Sequence, residues 1–306
     1  MSPERPRDIA VDYPLSRLTT IRTGGHGDFF IRPHSSQALA EALAWADGDG
    51  IEVGVVGSGS NLLIADEGFR GLVIKLDGSL ATIEQDGEHL LCGGGARLPQ
   101  AAAFAARAGL TGLEFGVNIP GTVGGAVKMN ANAYGGDLAR VLEWVEITTA
   151  SGTERRPPGQ LGFSYRRSNL SPKEIVSRAS FALAELDPLS VKQTLADMRS
   201  ARRAAQPSGI KTFGSTFKNP DDPRAEGRTA GVLLDEAGCR GLTVGGALFS
   251  EKHANFVENT GEATTADVLA LMGEGRRRVR ERFGVELEPE VQFLGEVDTT
   301  PLWGTG

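Results

Sequence analysis

The chain has 306 residues, enough for about two domains at roughly 150 residues each. Hydrophobic residues make up 40% and charged residues 23%, the balance of an ordinary globular protein, which excludes wholesale disorder. The 32 Lys and Arg against 39 Asp and Glu leave a net charge of −7, which argues against a surface built to neutralise nucleic-acid phosphates.

No apolar run approaches the roughly 20 residues of a membrane span, and the start, Met1-Ser-Pro-Glu-Arg-Pro-Arg-Asp8, lacks the apolar stretch of a signal peptide. The expectation is a cytoplasmic protein with neither a membrane nor a nucleic acid as partner. Cys92 and Cys239 lie too far apart in sequence to make a ligand cluster, so they read as buried thiols in a reducing compartment, and no metal site is expected. The 41 glycines cluster at 54–60, 93–95 and 109–125. Those clusters are where function is sought.

In chain order, residues 1–17 and 296–306 read as tails or edge pieces. Residues 29–33 read as a strand, 36–47 as a capped, Ala-rich helix, 52–56 as a strand running into a glycine loop, and 62–65 and 72–76 as strands. Short strands follow near Ile83 and at 90–92, then a helix over 98–108 that Gly109 closes, then a Gly-rich segment over 112–136. Strands over 140–149 and 176–186 enclose a loop containing Phe163-Ser-Tyr-Arg-Arg-Ser168. Pro188 opens a helix over 189–205. After a loop at 211–220 come a helix over 230–237 closed by Gly238, strands at 242–249 and 256–258, a helix over 265–283 and a final strand over 285–294. On the helix 265–283, Arg276, Arg277, Arg278 and Arg280 read as a solvated face.

Two loops suit a phosphate. In Gly57-Ser58-Gly59-Ser60-Asn61-Leu62, successive backbone N–H groups and short hydroxyls form a nest after a strand. The dinucleotide fingerprint needs a further glycine and a helix at once, whereas residues 62–65 read as strand, so a Rossmann site is disfavoured and a tight β-turn is the plain alternative. The second, longer segment, residues 113–136 with Asn118-Ile119-Pro120-Gly121-Thr122-Val-Gly124-Gly125-Ala126 at its turn, leaves backbone uncovered and lets a bulky ligand approach, although any one of its glycines could be purely structural. Together the two loops suggest a diphosphate.

These pieces resemble the family of UDP-N-acetylenolpyruvoylglucosamine reductase (MurB). The resemblance covers nearly the whole chain. It is carried by Thr19-Thr-Ile-Arg-Thr-Gly-Gly25, Gly57-Ser-Gly-Ser-Asn-Leu62, the segment 119–136, Tyr165-Arg-Arg-Ser168, Gly214-Ser-Thr-Phe-Lys-Asn-Pro220 and Leu287-Glu-Pro-Glu-Val291. It implies an α+β fold: an FAD-binding region of two α/β subdomains of the vanillyl-alcohol-oxidase (PCMH) type, followed by a C-terminal α/β substrate domain. The expected organisation is an N-terminal tail over 1–17, the FAD-binding domain over 18–187 with subdomains of about 18–78 and 79–187, the substrate domain over 188–295 and a C-terminal tail over 296–306.

The activity implied is that of UDP-N-acetylmuramate dehydrogenase in peptidoglycan precursor synthesis, with hydride passing from NADPH to FAD to the vinyl carbon of UDP-N-acetylglucosamine enolpyruvate. The match implies Arg166 as the fork on the substrate carboxylate, Glu290 as stabiliser of the enolic intermediate, which burial near the flavin would keep protonated, and Ser215 as donor of the final proton. It picks Arg166 over Arg167 and Glu290 over Glu288. The flavin cradle is then Gly57 to Leu62 with Asn118, Ile119, Pro120, Gly121, Thr122, Gly124, Gly125 and Ala126. Substrate contacts fall on Tyr165, Lys211, Lys218 and Asn219, and His253 reads either as a further contact or as an ordinary turn residue. Arg202 and Arg203 read either as helix charge or as contacts to substrate phosphate.

The departures are informative. Asn118 and Asn132 stand where the family often has glycine, and asparagine tolerates unusual backbone angles. The tyrosine-bearing loop of one family branch is missing from the sequence. Ser58 and Ser60 occupy the first glycine loop, where several relatives of the wider fold carry a flavin-linking His, so the expected flavin is non-covalent. A flavin oxidase of the same fold is the nearest alternative, but it leaves Gly-Ser-Thr-Phe-Lys-Asn-Pro and Leu-Glu-Pro-Glu-Val unexplained. A silent flavin or UDP-sugar binder is the other, and retention of Ser215, Arg166 and Glu290 counts against it.

Overall fold

The computed structural model of the chain describes residues 4–133, 135–207 and 209–303. The chain divides into two compact units, each assembled from separated segments. The first takes residues 1–12, 28–58 and 71–202; the second takes 13–27, 59–70 and 203–306.

In the first unit a five-stranded antiparallel sheet runs in the order Gly152–Arg156, Leu142–Thr149, Ile175–Ala182, His89–Gly93, Ile83–Asp86. Its buried face meets the helix Leu98–Arg107, whose Leu98, Ala101, Ala102 and Ala105 join Val145, Phe181 and Phe115 in one core. Small alanines on that face let helix and sheet approach closely. A smaller core gathers Leu39, Leu43 and Trp45 of the helix Ser36–Gly48 against Leu72 and Ile74. That helix starts where the sequence places it, because the Ser35 hydroxyl accepts from Ala38 N–H at 3.2 Å. The strand Val53–Val55 pairs parallel with Phe69–Ile74.

The second unit packs Phe213, Phe217, Phe249, Leu233, Met272 and Val279 into its own core. A three-stranded antiparallel sheet orders Thr243–Val244, Ala247–Phe249 and Val257–Asn259, and Gln292–Leu294 pairs parallel with Leu62–Ile64. The long helix Thr265–Phe283 matches the expected range because both ends are signalled locally. Thr264 and Asp267 close a reciprocal capping box, and Gly284, at φ 71°, turns the chain left-handed after the last turn.

Several expectations are corrected. Helix 188–205 does not open the second unit: the division falls after Arg202, since Val191 and Leu195 are buried in the first unit's core. Among the described residues, each end expected as a tail carries regular structure. Ala10–Pro14 is a strand and Leu302, in the short helix Thr300–Trp303, is 1% exposed. The strand expected over 242–249 is a hairpin, Thr243–Val244 and Ala247–Phe249. Of the final strand only Gln292–Leu294 is regular, and Pro289 makes an isolated bridge to Phe217.

Arg276 overturns the solvated-face reading of its helix. It is 8% exposed and donates to the carbonyls of Leu287 and Leu302, each at 2.7 Å, and to Glu286 at 3.1 Å. Arg277, by contrast, is exposed and pairs with Glu274 and Glu281.

Candidate active site

In the first unit, the glycine loop after Val53–Val55 sits beside the second loop. An added Cβ at Gly57 would lie 2.5 Å from Thr122 Oγ1, so only glycine allows this approach. No helix follows the Gly57–Asn61 turn; the chain continues into the strand Leu62–Ile64, as the sequence indicated. Thr122 caps the short helix Val123–Lys128, accepting from Gly125 N–H at 3.3 Å. Beyond Gly121 an added Cβ would meet only Ile119 Cγ2 at 3.9 Å, and at Gly125 only Thr122 Oγ1 at 3.4 Å, so this backbone is open to a ligand. Ile119 is half-buried and Pro120 exposed, while Ala126 faces the core and Gly124 is packed near the Gly94 and Val176 carbonyls.

Two features here fit a diphosphate. The buried Ser58 hydroxyl has no hydrogen-bond partner, and a buried polar atom left so is a ligand-shaped deficit. Lys75, at the end of the strand Phe69–Ile74, turns its ammonium onto the Gly57 carbonyl. Burial first, then the charges of Arg32 and Arg97, push its pKa down against the opposing pull of Asp77, so the ammonium stands under the loop with two further cations near it. The residues present therefore fit FAD. Lys75 was not singled out in the sequence, although a lysine directly after the buried run 71–74 was the signal for it.

Asn118, expected on the cofactor, donates from Nδ2 to Met198 O at 2.7 Å, and its carbonyl accepts from Arg202. The pair ties helix Pro188–Ala205 to the loop, which gives Arg202 a structural role.

Tyr165 and Arg166 form the tip of a two-residue hairpin. Ser164 and Arg167 exchange both backbone bonds, at 3.0 and 3.1 Å. Arg166 has φ 57°, a left-handed conformation that costs a non-glycine residue about 1–2 kcal/mol. Its Nη1 donates to Asn132 Oδ1 at 2.8 Å and to Asn132 O at 3.2 Å, and its Cζ lies 5.1 Å from the Tyr165 ring centroid. Tyr165 is 47% exposed. Tyr134 lies outside the described residues.

In the second unit, Gly59 has φ 64° and a side chain there would run into the Leu18 carbonyl. Asn61, expected on the cofactor, donates from Nδ2 to the Glu290 carbonyl at 3.2 Å, and Gln292 N–H donates back to Asn61 O at 3.1 Å. Ser60 and Leu62 are half-buried. Residues 215–218 form the middle of three aligned segments. On one side Ser215 bridges Phe256, and Asn255 clamps Phe217, accepting its N–H and donating to its carbonyl, both at 2.9 Å. On the other, Phe217 bridges Pro289, with Glu290 N–H on Thr216 O and Lys218 N–H on Glu288 O, each at 2.9 Å. Ser215 and Glu290 are both half-buried. Asn255 was missed in the sequence; a buried polar side chain serving two backbone groups leaves no periodic signal.

The expected substrate contacts have structural engagements. Lys218 pairs with Glu288 at 3.1 Å, and Asn219 Oδ1 accepts from Ala230 N–H at 3.1 Å, at the start of the helix Ala230–Glu236. Lys211 is exposed. His253 Nδ1 accepts from Asn255 N–H at 3.2 Å, which assigns the neutral ring's proton to Nε2. Burial, then the nearby Arg240, hold this imidazole below its usual pKa. Arg203 accepts at its carbonyl from Lys252 Nζ at 2.7 Å. Among the described residues no cluster of His, Cys, Asp or Glu could hold a metal ion, and no helix is long and apolar enough to cross a membrane.

Comparison with known proteins covers both units. A family described as FAD binding domain matches residues 27–156, and one described as UDP-N-acetylenolpyruvoylglucosamine reductase, C-terminal domain, matches residues 206–294. A UDP-N-acetylenolpyruvoylglucosamine reductase of Symbiobacterium thermophilum is 43% identical, over 96% of this chain and 98% of its own length. One from Rubrobacter xylanophilus is 44% identical over 93% of this chain and 95% of its own. The crystal structure of the reductase from Thermus caldophilus superposes with a TM-score of 0.80 at 38% identity, over 94% of this chain and 98% of that one.

Proposed function

Because this chain belongs to the UDP-N-acetylenolpyruvoylglucosamine reductase family, we propose that it reduces UDP-N-acetylglucosamine enolpyruvate to UDP-N-acetylmuramate. The reaction is NADPH-dependent and FAD-mediated, and it belongs to cytoplasmic peptidoglycan precursor synthesis. When bound, FAD supplies the hydride relay between NADPH and the vinyl carbon. Gly57, Ser58, Gly121, Thr122 and Gly125 hold it non-covalently through backbone and hydroxyl groups, with Lys75 supplying charge.

Hydride arrival leaves negative charge shared between the adjacent carbon and the carboxylate, so the protein must supply a cation, a hydrogen-bonding acid and a proton. Arg166 binds the carboxylate through its planar fork. Glu290 hydrogen-bonds the enolic oxygen. The Ser215 hydroxyl gives its proton to the carbon and recovers one from solvent. What supports these assignments most is the backbone pairing of residues 216–218 with 288–290, which sets Glu290 opposite the neighbour of Ser215.

An anaerobic single turnover tests the reading. The protein is reduced with one equivalent of NADPH, UDP-N-acetylglucosamine enolpyruvate is added, and the flavin absorbance is followed. Return of the oxidised spectrum with recovery of UDP-N-acetylmuramate is expected. A flavin that stays reduced overturns the substrate, and failure to bind flavin overturns the cradle.

A further inference from the structure

We propose that Asn132 is a positioning residue that aims the Arg166 guanidinium at the substrate carboxylate. The inference rests on the carboxylate-binding role proposed for Arg166. Two acceptors of one residue, Oδ1 at 2.8 Å and the backbone oxygen at 3.2 Å, grip the same nitrogen, Nη1. That grip fixes the direction of the guanidinium plane, since two acceptors on a single nitrogen restrict rotation about the side chain's last bonds. The side-chain acceptor is neutral, so it holds the cation without cancelling the charge an anionic substrate needs. An aspartate there would cancel it, and a glycine would leave the backbone oxygen alone.

The surroundings are built for the same purpose. A left-handed Arg166 persists only where neighbours over-determine it. Asn130, itself at φ 41°, donates from Nδ2 to Ser164 O at 3.2 Å, and Ser168 Oγ donates to Lys128 O at 2.8 Å. Lys128 also reaches the Leu170 carbonyl. The segment 128–132 is thus stitched to both sides of the hairpin tip, and Asn132 is the stitch that touches the functional side chain. A hairpin of two residues would favour glycine or asparagine at the Arg166 position. Keeping arginine there, strained and gripped, makes sense if its direction matters.

The test compares Asn132→Gly, Asn132→Asp and Asn132→Ser with wild type and Arg166→Ala, all as flavin-loaded protein, in separate anaerobic half-reactions. Asn132→Gly is expected to weaken substrate binding in the reoxidation step about tenfold, the size of a lost charge-assisted hydrogen bond. Flavin content and the rate of flavin reduction by NADPH stay unchanged. Asn132→Asp, which preserves shape, should lose more and regain affinity as pH is lowered, whereas Asn132→Ser, which keeps an oxygen, should lose less than Asn132→Gly. If Arg166→Ala binds substrate as wild type does, the carboxylate role itself is wrong. If Arg166→Ala fails while the glycine and aspartate variants bind substrate normally, the positioning proposal alone is overturned. If Asn132→Gly loses flavin or does not fold, the isosteric Asn132→Asp decides: unchanged substrate affinity overturns the proposal.

Discussion

The backbone N–H of Glu290 donates to the carbonyl of Thr216 at 2.9 Å. This bond, with the bridge between Phe217 and Pro289, locks two stretches far apart in sequence into antiparallel register. The main chain makes the lock, and Asn61 reinforces it through the Glu290 carbonyl. Side chains at Ser215 and Glu290 can therefore be exchanged without removing the frame that holds them.

That separation makes the chemical roles testable. Ser215→Ala and Glu290→Gln should keep flavin content and reduction by NADPH, while reoxidation by substrate slows by roughly 10²- to 10⁴-fold, the span of general acid–base contributions. Stopped-flow absorbance reads both half-reactions. Wild-type reoxidation in the serine variant would remove its proton-donor role, and flavin loss in the glutamine variant would mark Glu290 as structural.

Lys75 stands under the Gly57 carbonyl with its pKa held down by burial and by Arg32 and Arg97. Lys75→Met keeps the aliphatic stem and removes the charge. Flavin should bind about tenfold or more weakly, as expected when a charge-assisted contact is lost. Fluorescence titration of apoprotein with FAD measures this, and unchanged affinity would assign the lysine to the loop alone.

The arginines of the long helix should part company. Arg276→Ala leaves the Leu287 and Leu302 carbonyls without their buried donor and releases the exposed Glu286, and should cost about 1–3 kcal/mol for each stranded carbonyl. Arg277→Ala removes only exposed ion pairs, and its denaturation midpoint should match wild type. Urea denaturation of the two variants side by side checks the contrast.

Burial pushes the Cys92 thiol up to about 12 and Cys239 up to about 11, from an ordinary 9.0. Between pH 9 and 12 the unfolded chain has lost protons that the folded chain keeps, so this contribution to stability is complete below pH 9 and fades as pH rises toward 12. Neither thiol should react with a disulfide reagent at pH 8 until the protein unfolds. Prompt reaction of either in the native protein would contradict its burial.

Much of this protein was legible in the sequence because it is locally encoded. The capping box at Thr264 and Asp267 and the glycine at 284 bound the long helix without help from any distant residue. The strand following the glycine loop was readable from Leu62-Leu-Ile, and the family from short motifs whose order survives along the chain. Other features depend on distant segments meeting. Residues 13–27 and 59–70 join the C-terminal unit, and residues 188–202 join the first, because buried side chains and long-range backbone pairing decide membership. Arg276 lies on the polar side of its helix by pattern, yet the chain end folded over it, through Leu302, makes it a core residue. Asn61 reads as a cofactor-loop residue and Asn132 as a replacement for glycine, and only tertiary structure gave one the Glu290 carbonyl and the other the Arg166 guanidinium. A side chain's hydrogen-bond partner lies wherever the fold brings an acceptor within reach, and no periodicity records that distance.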